Sequence, residues 1–177
     1  MCILAVRGSV INAGFYAHAQ QATAFGVAGA AGWKGLLLPM RDLKCSLVLG
    51  YFTIFAVVIA LMKDVPDVEG DRLFNIPSFS VVLGEAGMFK LARRLLTALL
   101  CGAGGVLAAG SRAAAMAAMP GTALARGLVG VCALCAAQLV RQRSVGVDPK
   151  NTLQVYKFYM FLWKIFYASY LFLPFAR

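Results

Sequence analysis

Cys45-Ser-Leu-Val-Leu-Gly-Tyr-Phe-Thr-Ile-Phe-Ala-Val-Val-Ile-Ala-Leu-Met62 carries no charged side chain and runs directly into Lys63-Asp-Val-Pro-Asp-Val-Glu-Gly-Asp-Arg72. The first stretch approaches the roughly 20 apolar residues that a helix needs to cross a bilayer. The second holds the densest set of acids in the chain. Together they read as a lipid-buried helix that delivers carboxylates to the membrane surface.

The composition supports this reading. The chain has 177 residues, 61% hydrophobic and 14% charged, against about 45–50% and about 25% in soluble domains. Mean hydropathy is +0.78. A soluble chain of this size has too little interior to hide so much apolar surface. The net charge of +10 does not point to nucleic acid, because the basic residues fall between apolar runs and form no Arg-rich arm. The five cysteines are an odd set lying mostly in apolar stretches, which excludes a secreted disulfide framework. Cys132-x-x-Cys135 sits in an Ala/Leu/Val run with no second ligand pair, and reads as two small residues in a buried helix. Arg7 falls inside the first apolar run rather than before it, unlike a signal peptide.

Five apolar stretches follow, at about 2–20, 45–62, 88–110, 122–140 and 156–175. They are too long and too continuous for barrel strands, so helices are the expected spanners. The expected fold is all-α, an integral membrane bundle of about five transmembrane helices forming one domain over 1–177, N-terminally incomplete. Pro66, Gly70, Pro77, Pro120-Gly121 and Gly146 to Pro149 mark the borders. Gly104 and Ala108, four residues apart, allow close helix packing. The loops 63–94 and 141–157 hold most of the Lys and Arg outside the spans, which places the acidic loop on the cytoplasmic or stromal side.

Four of the seven acidic residues, Asp64, Asp67, Glu69 and Asp71, fall within eight positions. Asp64, Asp67 and Asp71 have the spacing i, i+3, i+7 and share one face if the second helix continues, with Glu69 pointing away. Pro66 disfavours a perfect helix there, yet a loosened helix end would still gather the three. Clustered carboxylates need cations, and hard divalent ions suit oxygen ligands; Mg²⁺ commonly takes one or two carboxylates together with substrate phosphates. Lys63 and Arg72 flank the cluster and could hold diphosphate oxygens. An EF-hand is excluded by its missing pattern and a zinc site by the absence of nearby Cys or His.

Asp-x-x-Asp-x-x-x-Asp at the end of a transmembrane helix resembles the second aspartate-rich motif of the UbiA-type intramembrane prenyltransferases. The longer string 63–72, followed by Ile76-Pro-Ser-Phe-Ser-Val-Val-Leu-Gly84, is similar to the homogentisate prenyltransferase branch. Tyr159-Met-Phe-Leu-Trp-Lys-Ile-Phe-Tyr-Ala-Ser-Tyr-Leu-Phe-Leu-Pro-Phe175 resembles its C-terminal helix, and Met1 to Gly8 with Phe15-Tyr-Ala-His18 its fifth. Ser78-Phe-Ser80 and Phe161-Leu-Trp-Lys164 lean toward the phytyltransferases, with the solanesyl-transferring relatives second. Residues 97–150 match only in hydropathy. The resemblance implies helices five to nine of a nine-helix bundle, and Mg²⁺ on Asp64, Asp67 and Asp71 holding a prenyl diphosphate (phytyl, solanesyl or geranylgeranyl). It implies prenyl transfer to homogentisate with decarboxylation, in tocopherol or plastoquinone biosynthesis, in a plastid membrane with the acidic loop on the stromal side. The family's first aspartate motif has no counterpart here, so a partner supplying it is one expectation. The other is a catalytically incomplete fragment that binds prenyl diphosphate and Mg²⁺ or serves as a structural membrane subunit.

Polar residues inside apolar spans are costly and usually face a cavity or a partner. On that ground Arg7, Asn12, Tyr16 and Lys164 are candidate substrate-binding residues, with snorkelling to the interface as the alternative for the two cations. Tyr156, Tyr159, Trp163, Tyr167 and Tyr170 form a stripe at helical spacing, expected to be a packing face or aromatic belt.

Overall fold

The computed structural model describes residues 43–76 and 79–172. The expected first span, with Arg7, Asn12, Tyr16 and His18, lies outside the described residues. Five helices occupy the rest: α1 (Leu43–Lys63), α2 (Val68–Leu73), α3 (Phe79–Met116), α4 (Pro120–Val145) and α5 (Thr152–Phe172). No strand occurs among the described residues, and the all-α expectation holds. Among the described residues, three stretches are long and apolar enough to cross a membrane: Ser46–Lys63, Phe79–Met116 and Pro120–Val145. Helix α5, with Lys157, Lys164 and its tyrosines, carries the expected fifth stretch and is not among the three. Helix α3 runs beyond the expected 88–110 at both ends and is two helical segments joined by a kink at Gly84. There φ is 69° and ψ 166°, a backbone state that only glycine adopts readily.

Contacts divide the chain into two compact units that part between Val57 and Val58, within α1. In the first, Tyr51 meets Phe52 and Phe55 edge-on, with ring centroids 5.2 and 5.9 Å away. The Thr53 hydroxyl donates to the Leu49 carbonyl at 2.7 Å, a local bond that spares a polar group in an apolar helix.

The second unit is built on the antiparallel pair α3–α4. Gly104 is buried; a Cβ there would lie 2.8 Å from the Leu134 side chain and 3.2 Å from the Gly130 carbonyl oxygen. A Cβ on Gly130 would lie 3.3 Å from the Gly104 carbonyl oxygen. The expected small-residue contact around Gly104 and Ala108 is therefore present, with Gly130 as its partner. Nearer the turn the Ser111 hydroxyl donates to the Ala123 carbonyl at 2.6 Å, and Arg126 Nη1 donates to the Gly110 carbonyl at 3.2 Å. The turn itself is a Schellman-type end. Met119 N–H donates to Ala114 O, Ala118 N–H donates to Ala115 O, and Ala118 takes φ 55°, where glycine is usual.

Toward the other end, Met88, Ala92, Leu96 and Leu100 bury one stripe of α3 at a spacing of four. Phe89 meets Phe158 of α5 with centroids 5.3 Å apart, and the Arg143 guanidinium of α4 lies 4.4 Å over the Phe161 ring. Asn151 caps α5, accepting from Gln154 N–H at 3.2 Å, while Gln154 Oε1 accepts from Asp148 N–H at 2.8 Å. The expected aromatic stripe on α5 is continuous from Tyr156 through Tyr159 and Trp163 to Tyr167, and Tyr170 joins it through Phe166.

Candidate functional site

The acidic stretch forms a turn and a short helix. Asp64 N–H still donates to Ala60 O at 3.1 Å, and then α1 stops. Pro66 has no N–H to continue the ladder and disfavours helical geometry at Val65. The apolar residues between the acids hold the turn down: Val65 is 0% and Val68 1% exposed. With the valines inward, Asp67 and Glu69 are exposed and Asp64 and Asp71 half-buried. The expected continuous helical face is thus replaced by a turn over 64–67, as Pro66 requires.

Asp67 occupies the N-cap position of α2 but makes no side-chain capping bond. An aspartate in that place ordinarily accepts from the N–H two or three residues on, so here its carboxylate oxygens are left for another partner. Its backbone carbonyl accepts from Asp71 N–H at 2.9 Å, which fixes the third acid one turn away. A second Schellman-type end closes α2: Ile76 N–H donates to Asp71 O at 2.9 Å and Asn75 N–H to Arg72 O at 3.2 Å, with Asn75 at φ 53°. Asparagine tolerates this conformation better than most residues.

Burial pushes the Asp64 carboxyl above its ordinary value; the negative charges of Asp67 and Asp71 add to this, and Lys63 opposes it. The three aspartates therefore share an electrostatic neighbourhood. They do not close into a cage: among the described residues, no three Cys, His, Asp or Glu side chains are grouped to hold a metal ion by themselves. The donors are all carboxylate oxygens, the chemistry of a hard cation whose remaining ligands come from phosphate or water. Lys63, in the last turn of α1, and Arg72, in the last turn of α2, are exposed on either side of the acids. Leu73 and Phe74 beside them are 78% and 80% exposed, so an apolar surface adjoins the charged one.

Lys164 lies on the exposed side of α5, and among the described residues no carboxylate pairs with it. An apolar groove lined by Ser111, Ala115, Leu124 and Leu128 lies at the α3–α4 turn, at the far end of α3 from the acids. Sequence reasoning missed the bend at Gly84, eight residues after Ile76, which sets how α3 leaves this site. An isolated glycine in a loop-like stretch gives no sign of its φ.

Comparison with known proteins adds the decisive observation: the model of the UbiA prenyltransferase family matches residues 1–165. The chain belongs to the UbiA prenyltransferase family. Curated relatives include a probable homogentisate phytyltransferase 1 of chloroplasts from Oryza sativa subsp. japonica, 36% identical over the whole chain and 39% of the rice protein. The Arabidopsis thaliana chloroplast homogentisate phytyltransferase 1 is 35% identical over the whole chain and 40% of that protein. A homogentisate geranylgeranyltransferase from Triticum aestivum is 37% identical over 99% of the chain and 38% of that protein. The chain thus spans about two fifths of these relatives' length. The family match extends through residues 97–150, where sequence reading found likeness in hydropathy alone. No solved structure matches the chain.

Proposed function

We propose that the chain takes part in Mg²⁺-dependent transfer of a phytyl or related prenyl group from its diphosphate to homogentisate, with loss of the homogentisate carboxyl group as carbon dioxide. The observation that carries the proposal is the turn at the end of α1. There the charges of Asp67 and Asp71 act on Asp64 without the three closing into a ligand set, in a member of a prenyltransferase family, and this supports the reading. Mg²⁺ shared between carboxylates of this set (Asp64, Asp67, Asp71) and the diphosphate oxygens would neutralise the diphosphate and make it a better leaving group.

The chain's own residues do the rest by placement. Asp67 offers oxygens that its helix does not use. Lys63 and Arg72 would hold diphosphate oxygens and orient the head group, Arg72 with its planar fork. The exposed Leu73 and Phe74 suit a donor that is charged at one end and apolar along the rest. Lys164, Arg7, Asn12 and Tyr16 belong to this reading as candidate contacts for the acceptor or the diphosphate. Relatives named for phytyl and for geranylgeranyl transfer match about equally well, so the donor is proposed as a long-chain isoprenoid diphosphate with phytyl first. The chloroplast in the relatives' names and the Lys/Arg asymmetry of the loops support a plastid membrane with the acidic turn facing the stroma.

The test incubates membranes containing the protein with homogentisate, phytyl diphosphate and Mg²⁺, and follows prenylated quinol and released carbon dioxide. Asp64→Ala and Asp67→Ala are expected to abolish product, as is chelation of the metal. Prenylation unchanged in either variant would overturn the site. Product appearing only on co-expression with a chain that carries an N-x-x-x-D motif would assign this chain the second-motif share of the active site.

A further inference from the structure

We propose that the ends of α3, α4 and α5 near the acidic side form a cationic belt that preferentially holds anionic phospholipid headgroups of the surrounding leaflet. The register of the α3–α4 pair is fixed by Ser111 on Ala123 and by Gly104 against Gly130. Extended, it brings Arg94 level with Arg141 and Lys90 level with Ser144. The Phe89–Phe158 contact, 5.3 Å between centroids, sets their sequence neighbours, Lys90 on α3 and Lys157 on α5, at one height. Lys90, Arg94, Arg141 and Lys157 are all exposed. Arg143, also exposed, stays fixed by stacking on Phe161.

Depth identifies the occupant. From Arg94 to the end of α3, and from the start of α4 to Arg141, the helices rise about 32 Å at 1.5 Å per residue. That matches a hydrocarbon core of about 30 Å. With the α3–α4 turn at one face of the bilayer, the belt falls at the headgroup plane of the other. The groups at that plane able to answer several cations are lipid phosphates. Beyond the four acids of the turn at 64–71 the protein offers little: across 79–172 the only acids are Glu85 and Asp148, and Asp148 Oδ1 already accepts from Lys150 N–H at 3.0 Å. Three helices present cations at one level, which exceeds what orienting a single span requires and makes a multidentate surface for phosphodiesters. The inference does not depend on the proposed reaction, since none of the belt residues belongs to the acidic turn.

The experiment reconstitutes the full chain in mixed vesicles and measures, by electron spin resonance, how strongly spin-labelled phosphatidylglycerol is retained at the protein relative to spin-labelled phosphatidylcholine. The expected result is a several-fold preference for phosphatidylglycerol that falls as NaCl is raised. Lys90→Gln, Arg94→Gln, Arg141→Gln and Lys157→Gln are each expected to weaken it, by up to about fivefold. The salt titration on the unaltered chain keeps the test valid should a variant fail to insert. Equal retention of the two lipids would overturn the proposal, as would a preference that survives all four substitutions. Inorganic phosphate that displaced the lipid far beyond NaCl of equal ionic strength would overturn it in favour of a free-anion site.

Discussion

The acidic turn and the α3–α4 hairpin use the same small vocabulary of turns and glycines to opposite ends. The hairpin spends its polar groups on itself: the Ser111 hydroxyl and Arg126 Nη1 are bonded across the helix pair, and Gly104 and Gly130 exist to let backbones touch. The turn at 64–76 satisfies its backbone with a Schellman-type end but leaves Asp67 uncapped and Asp64 half-buried beside like charges. One region is finished by folding alone. The other is left with repulsion that a bound cation would relieve.

The contrast is sharpest if the two regions fail differently when altered. Asp67→Asn should lower prenyl transfer by about 10²–10³-fold, the scale on which single electrostatic groups act in such sites. Its thermal unfolding in detergent should stay within error of the parent, since the side chain caps nothing. Loss of folding in this variant would erase the distinction. Gly104→Val should do the reverse. Overpacking against Leu134 and the Gly130 carbonyl should cost about 1–3 kcal/mol, read as easier unfolding.

Between the regions lies Gly84. Gly84→Ala has open space for its methyl group, so any loss comes from the backbone, on the order of 1–3 kcal/mol. Circular dichroism should show helix content kept while stability drops. Ala118→Gly removes the opposite misfit and should stabilise the hairpin by about 0.5–1 kcal/mol, the left-handed penalty less the added chain entropy. The smallest effect concerns Asp64. Its folded value is raised, so ionising it costs stability at neutral pH. That cost is fully present above the folded value and vanishes as pH falls below the ordinary carboxylate value. Asp64→Asn without metal should therefore be slightly more stable than the parent at pH 7 and equal to it near pH 3, as thermal unfolding at the two pH values would show.

Much of this was legible in the chain. Charge-free length located α1, and Pro66 foretold that the helix would loosen at the acids. Gly104 announced a close helix contact. Composition gave no sign that the helix expected at 88–110 continues past 110 to Met116, or that a kinked segment precedes it from Phe79. The positive φ at Gly84 and Ala118 had no signal, since neither residue type declares its conformation. Of the site, the spacing of Asp64, Asp67 and Asp71 was readable, but the missing cap bond at Asp67 is a property of coordinates alone.

The self-satisfied hairpin bears on how the protein reaches its membrane. Two helices joined by a tight turn, with polar side chains bonded within the pair, present hydrocarbon with little it must exclude. Such a pair can enter the bilayer as one piece during synthesis, ahead of α5, and serve as the wall against which later helices dock. Residues 79–145 would then follow α1 into the bilayer as a unit, with the acidic turn between them left at the surface until its neighbours arrive.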